Sequence, residues 1–255
     1  INEQSSKRIR KEQDEVMQRQ NTELLKINRE LDSFVYNISH NLRSPLASVI
    51  GLVNIAQLDQ KKSPENVAHY FDMIGTSMLR LDDALKEILD FSENLRTDPK
   101  ISEIDLKQLC DECANNLRTI KGADKVEKQF NIISDAAFYS DGYRLSRIMT
   151  YLFSNSIKYR DDRKDSQFVR VSALISPAHA TLSILDNGVG IQSDRLPKVF
   201  DMFVRSNESS DGAGLGLYIV KEVIEKLRGT IVIESVYGEW TRVDVTLPNH
   251  ENPSY

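Results

Sequence analysis

The chain is poor in the features that would place it in several common classes. Among 255 residues there are only two cysteines, too few for a disulfide framework, which suits a reducing, cytoplasmic compartment. No run of about 18 apolar residues occurs, so no membrane span is expected in this stretch. The opening INEQSSKRIRKEQDE is too polar for a signal peptide, and it lacks an initiating Met, as expected of a fragment of a longer protein. No basic block is present, and 33 Lys+Arg stand against 38 Asp+Glu for a net charge of −5. That balance argues against nucleic acid as the main partner. No Gly-Lys-Ser/Thr follows a strand, so there is no P-loop. Residues 1–50 contain no glycine at all, whereas seven of the 11 glycines lie between Gly188 and Gly238. Such asymmetry implies two kinds of architecture in one chain.

The glycine-free part reads as helix. Leu24, Ile27, Leu31, Phe34 and Ile38 step by 3, 4, 3 and 4, a heptad seam that fades upstream at Gln20, Gln13 and Arg10. A break is expected near Asp59 to Pro64, with Ser63-Pro64-Glu65 opening a second helix. There Val67, Phe71, Ile74, Met78, Leu81, Leu85 and Ile88 form one apolar stripe. Two such helices make an antiparallel hairpin with too little core of its own, so two chains are expected to pair as a four-helix bundle, a homodimer.

Thr97-Asp98-Pro99-Lys100 reads as a short linker. Beyond it, helices are expected over 106–117, 143–159 and 215–227, and strands over 126–133, 138–140, 168–175, 180–186, 231–236 and 242–247. Helices on one side of a mostly antiparallel sheet make an α/β sandwich, and the fold class is α+β. The domains are expected at 1–32 (a coiled-coil signalling helix), 33–96 (the hairpin) and 101–250 (the sandwich).

Three clusters carry chemistry. Asp186-Asn187-Gly188-Val189-Gly190 follows a strand, placing a carboxylate beside a loop where it can grip the exocyclic amine of a base. Gly212-Ala213-Gly214-Leu215-Gly216-Leu217 precedes a helix, where backbone amides can wrap phosphate. On the helix over 143–159, Tyr151, Asn155 and Lys158 or Tyr159 share a face opposite the apolar side. An Asn oxygen there can complete an Mg²⁺ shell, and a Lys can neutralise phosphate. Each cluster alone also reads as ordinary turns or a solvated stripe. Cys110 and Cys113 read as two small residues on an amphipathic helix, since no second ligand pair accompanies them.

In order and spacing these clusters resemble the sensor histidine kinases of two-component systems. The boxes are Leu152–Tyr159, Asp186-x-Gly188-x-Gly190, Phe200-Asp201-Met202-Phe203 and Gly212-x-Gly214-Leu215-Gly216-Leu217, preceded by Ser39-His40-Asn41-Leu42-Arg43-Ser44-Pro45-Leu46. The resemblance implies that His40 is the phosphoacceptor within a motif that includes Asn41, Arg43 and Ser44. It implies that Asn155 ligates Mg²⁺, that Lys158 contacts phosphate and that Asp186 binds the adenine amine of ATP. Gly188 and Gly190 would shape that pocket, with Tyr159 and Thr241 closing it. Gly212, Gly214, Gly216 and Leu217 would form and hinge a lid over the phosphates, with Phe200 and Phe203 packing its base. Further implications are a response regulator receiver domain as acceptor of the phosphoryl group and a sensor domain upstream of this chain. Two positions depart from the family pattern near the acceptor: Asn41 stands where a carboxylate base is common, and Ser44 where Thr or Asn assists phosphatase chemistry. Tyr151 stands where the Leu152–Tyr159 box often begins with another Asn. Pro45 lacks a helical N–H, so a local bend is expected just after His40. The alternatives are a pseudokinase that binds ATP without transfer, kept open by Asn41, and a plain coiled-coil interaction protein.

Overall fold

Two long helices open the chain: α1, Asn2–Asp59, and α2, Val67–Arg96. The computed structural model describes residues 2–59, 66–202, 204 and 214–252, and within the helices some residues by backbone alone. The Ser63-Pro64-Glu65 start signal, Phe203 and Gly212 fall outside the described residues, as do the side chains of Leu24, Ile27, Leu31, Phe34 and Asn41. By its internal contacts the chain divides into two units, residues 1–84 and residues 85–255.

In the first unit α1 runs through Pro45 as one helix. The Tyr70 hydroxyl donates to the Asp59 carboxylate at 2.7 Å, joining the start of α2 to the end of α1. The apolar stripe of α2 is only partly covered: Val67, Ile74 and Leu81 are half-buried, while Phe71 is 64% and Met78 46% exposed. On α1, Leu46, Ile50, Val53, Ile55 and Leu58 are likewise exposed.

The second unit begins with the last three turns of α2. It continues through β1 (Ile101–Glu103), α3 (Leu106–Asn116), β2 (Val126–Ser134), β3 (Tyr139–Asp141) and α4 (Gly142–Lys158). Then follow β4 (Gln167–Ile175), β5 (His179–Asp186), α5 (Gly216–Lys226), β6 (Thr230–Val236) and β7 (Trp240–Pro248). The main sheet has strand order β2-β4-β5-β7-β6, antiparallel except where β2 lies parallel to β4. The pleat has a period of two residues. Val169, Val171, Ala173 and Ile175 of β4, Ala180, Leu182 and Ile184 of β5, and Val243, Val245 and Leu247 of β7 are all buried on one face. Against it pack Leu145, Ile148, Met149, Leu152 and Phe153 of α4 and Ile219, Val220, Val223 and Ile224 of α5. Cys110 and Cys113 of α3 belong to the same core, fully buried and unbonded to each other.

Strand β3 does not join the main sheet. It pairs with β1, an element the sequence reading did not contain, in a separate two-stranded ladder. Asp105 and Asp141 cap α3 and α4, each accepting a backbone N–H three residues on at 2.9 Å. Asp141 does more than cap. Its carboxylate also accepts the Lys100 amide and the Arg144 guanidinium, and Arg144 donates to the Asn94 side chain, the Asp98 carbonyl and both the carbonyl and hydroxyl of Thr97. Burial alone would raise the Asp141 carboxyl, but the two amides and the guanidinium hold it below its ordinary value. The segment Thr97–Lys100, which the sequence suggests is a linker, is thus held by side chains of α4 and its cap. Beside it, Lys226 donates to the Asn94 carbonyl and Phe91 packs on Tyr218.

Candidate functional site at the end of α4

Helix α4 ends where β5 ends, and two of the sequence boxes, Leu152–Tyr159 and Asp186–Gly190, meet there. Asp186 is the last residue of β5 and is half-buried. It accepts the Gly188 amide at 2.9 Å and the Ser156 hydroxyl at 3.1 Å. Removal from water pushes its carboxyl above the ordinary range, while the Gly188 amide, the Ser156 hydroxyl and the charge of Lys164 pull it back. Asn155 lies one turn before the end of α4, half-buried, and its carbonyl accepts the Tyr159 amide at 2.9 Å.

The loop after β5 is fixed from both sides. Val189 donates its amide to the Tyr159 carbonyl at 2.9 Å and accepts the Gly238 amide at 2.7 Å. Gly188 is required by close approach: a Cβ there would lie 2.4 Å from the Tyr159 carbonyl oxygen. Gly190 has φ +66°, and a Cβ would meet the Val236 carbonyl at 2.2 Å. Thr241 stands directly opposite Asp186 in the β5–β7 ladder. Its hydroxyl is 3.1 Å from that of Ser235, which accepts the Ile191 amide at 2.8 Å. Asp186, Gly188, Gly190, Tyr159 and Thr241 are therefore one assembly, although Tyr159 enters it through its carbonyl.

The glycine-rich segment before α5 is described in part. Gly214 has φ +73°, Leu215 is buried, and α5 begins at Gly216 with Leu217 half-buried behind it. A helix N-terminus presents unpaired amides to an anion. The Tyr151 ring lies beside Gly216, at 3.3 Å from where its Cβ would be, and its hydroxyl donates to Asp90 at 3.3 Å. Asp90 also pairs with Arg147. Lys158 is exposed, and Phe200 is half-buried after a short 3₁₀ turn. Among the described residues no cluster of three His, Cys, Asp or Glu side chains has the geometry for a metal, so a divalent ion here would rest on Asn155 plus phosphate and water oxygens.

Sequence reasoning assigned no role to Ser156, Ser235 or Lys164. Ser156 lay inside a recognised box but reads as a small core residue. Lys164 lay in the charged run Arg160–Asp165, whose composition resembles any solvated loop.

In the first unit His40, Arg43 and Ser44 lie on α1 with exposed side chains, between half-buried Ile38, Leu42 and Pro45. An exposed imidazole on a helix face is sterically open to a large substrate.

Two family descriptions match this chain: "His Kinase A (phospho-acceptor) domain" over residues 30–95 and "Histidine kinase-, DNA gyrase B-, and HSP90-like ATPase" over residues 140–251. The chain belongs to the sensor histidine kinases of two-component systems. Among curated sensor kinases, the methanogenesis regulatory histidine kinase FilI of Methanothrix harundinacea is 31% identical over 87% of this chain and 25% of its own length. The sensor protein kinase WalK of Staphylococcus saprophyticus is 27% identical over 89% of this chain and 38% of its own. The chain thus spans between a quarter and two-fifths of these two sensor kinases. Among solved histidine kinases, AdeS of Acinetobacter baumannii shares the fold with a TM-score of 0.66 at 20% identity, covering 83% of this chain and 98% of that one. ThkA, solved in complex with the response regulator TrrA, gives 0.68 at 18% identity, covering 86% of this chain and 62% of that chain. No helix among the described residues is long and apolar enough to cross a membrane.

Proposed function

We propose that this chain is the transmitter part of a sensor kinase that phosphorylates His40 with ATP and passes the phosphoryl group to an aspartate of a response regulator. The observation that carries the reading is the joining of Asp186, Gly188, Gly190 and Thr241 with the Asn155-bearing end of α4, in a chain whose α1 exposes His40. Asp186, as a carboxylate, accepts the adenine amine. The amides at Gly214–Gly216 and the lid they anchor, with Lys158, meet the phosphates. Asn155 would hold Mg²⁺ together with phosphate oxygens, and the ion would supply charge neutralisation.

Neutral imidazole is a good nucleophile near neutral pH. An imidazole nitrogen of His40 attacks the γ-phosphorus in line. A P–N bond forms, the bond to the β–γ bridging oxygen breaks, and ADP leaves with that electron pair. Asn41 offers no carboxylate to take the imidazole proton, so that proton leaves to water. In the second step the aspartate oxygen of the regulator attacks the same phosphorus and the P–N bond breaks, with Arg43 and Ser44 lining the approach.

The exposed apolar side chains of α1 and α2 support a homodimer, in which two hairpins cover each other. The functional division follows the sequence: 1–32 conducts a signal from an upstream sensor domain, 33–96 dimerises and accepts phosphate, and 101–250 binds ATP.

The test is incubation of the purified chain with Mg²⁺ and γ-labelled ATP. Acid-labile, alkali-stable label that disappears in His40→Ala is expected. ATP binding without label, restored by Asn41→Asp, would show that this chain binds nucleotide but transfers poorly without an acid. Label that survives His40→Ala would move the acceptor elsewhere.

A further inference from the structure

The loop between α4 and β4 carries a cation that the reading above leaves idle. Lys164 Nζ donates to the carbonyls of Asn187 at 2.8 Å, Gly188 at 3.2 Å and Glu239 at 2.7 Å. An ammonium group has three donors, and here all are used. The first two carbonyls belong to the loop after β5. The third belongs to the turn between β6 and β7. Lys164, which belongs to neither wall, thus grips both walls of the pocket.

The surroundings hold Lys164 in place for this. Gln167 donates its amide to the Lys164 and Asp161 carbonyls at 2.7 and 3.2 Å. The neighbouring cation, Arg163, is committed to the Asp161 carboxylate through two bonds of 2.8 Å, which lowers that carboxyl to about 2. Asn187 is fixed independently, accepting the Phe168 amide and donating to the Ser166 carbonyl, each at 2.8 Å. Among the described residues the two walls also meet at Gly238–Val189 and Ile191–Ser235, through a backbone and a hydroxyl bond.

We propose that Lys164 is a positioning residue that sets base specificity: it holds the loop after β5 and the β6–β7 turn at one spacing, so that Asp186 meets an amino-purine and rejects a 6-oxo-purine. The inference rests on the nucleotide reading of this pocket. A carboxylate accepts a bond from an exocyclic amine and repels a carbonyl oxygen at the same place. That discrimination depends on the base being unable to shift, because a base free to slide turns its oxygen away from the carboxylate. Lys164 also supplies the positive charge nearest in effect to Asp186. The other groups acting on that carboxylate are the uncharged Ser156 hydroxyl from α4 and the Gly188 amide from its own loop, with Thr241 opposite on β7.

The experiment is equilibrium binding of ATP and of inosine triphosphate to the full chain, carried out on the unaltered protein, Lys164→Met and Lys164→Arg. Inosine triphosphate carries an oxygen in place of the adenine amine. Met keeps the length of the stem and loses all three donors. For Lys164→Met the ATP affinity is expected to fall about tenfold, the size of one lost charged hydrogen bond, with little change for inosine triphosphate. Lys164→Arg keeps the charge but presents a planar fork, and is expected to fall between. At saturating ATP the phosphorylation rate of His40 should be unchanged, separating KM from kcat. Unaltered ATP affinity in Lys164→Met would overturn the proposal. So would an equal loss for both nucleotides, the mark of a merely loosened fold, which melting temperature would register. Failure of the unaltered chain to bind ATP would overturn the nucleotide reading itself, and this inference with it.

Discussion

The Ser156 hydroxyl lies 3.1 Å from Asp186 Oδ2 and 3.1 Å from the carbonyl oxygen of Leu152, and it has one proton to give. With Asp186 ionised, the carboxylate is the stronger acceptor and takes it. With Asp186 protonated, the hydroxyl turns to Leu152 and accepts from the acid. Ser156 thus follows the charge of the group that would read the base.

Asp186 should therefore govern the pH dependence of ATP binding. Its carboxyl is raised, first by removal from water. The ionised fraction grows with pH, so ATP affinity should fall as pH drops through this raised value, higher than the ~3.9 of an ordinary Asp. Ser156→Ala removes a bond to the charged form and should move the acid limb to still higher pH, with affinity reduced by up to about tenfold where the two limbs differ. The linkage has the opposite sign for folding: a carboxyl raised by folding makes the native state less stable as pH rises through its value. Nucleotide titrations and melts across the acid range would show both trends, and a Ser156→Ala limb coincident with that of the unaltered chain would remove Ser156 from this role.

Gly188→Ala should abolish nucleotide binding while leaving the chain folded. The added Cβ would sit 2.4 Å from the Tyr159 carbonyl oxygen and 2.8 Å from Asp186 Oδ1. Relief requires the loop to move away from α4, at about 1–3 kcal/mol for overpacking. Circular dichroism with ATP binding by calorimetry would separate pocket from fold.

Arg144→Met should destabilise the second unit by about 3–5 kcal/mol, because it leaves Asp141 buried without its cation. Arg144 is 5% and Asp141 3% exposed. The single tryptophan, Trp240 on β7, reports unfolding of this unit in urea. The double change Arg144→Met with Asp141→Asn should recover part of the loss, since no lone buried charge then remains. A single change as mild as a surface substitution, within about 0.5 kcal/mol, would show that the pair is not structural.

The two thiols should be inert in the native chain. Burial, then Cys113 and Asp111 nearby, push the Cys110 thiol up to about 12, and the thiolate is the reactive form. Ellman's reagent should react with neither Cys110 nor Cys113 until denaturant is added, and then with both. Reaction under native conditions would mean that α3 opens locally.

Much of this was legible because it is periodic. The 3-4 spacing from Val67 to Ile88 marks α2, and alternate apolar residues mark β4, β5 and β7, since a helix or strand half in water must repeat its chemistry with its geometry. What escaped is what depends on distant pairing. Three residues, Ile101-Ser102-Glu103, carry no pattern, and only their ladder with β3 makes them a strand. The parallel register of β2 on β4 is likewise set by packing. In the pocket, Asp186 and its glycines stood out as a motif, whereas Lys164 is one cation in a charged run, and only the meeting of two loops gives it three carbonyls. Arg144 left no mark for the same reason: nothing in its neighbours along the chain shows that Asn94 and Thr97 will enclose it.

The pairing of Asp186 with Thr241 bears on how this region tolerates length changes. β7 runs between β5 and β6, with Thr241 opposite Asp186 on one side and opposite Ser235 on the other. One residue added or lost within Arg242–Leu247 would turn every later side chain to the wrong face, taking Val243, Val245 and Leu247 out of the core. The turn at 237–239 lies outside that constraint on its exposed side, but Gly238 and Glu239 are tied to the pocket loop through Val189 and Lys164. Insertions and grafted sequences should therefore survive at the other end of the sandwich, in the Ser176–Ala178 turn between β4 and β5, and should cost nucleotide affinity when placed in the β6–β7 turn.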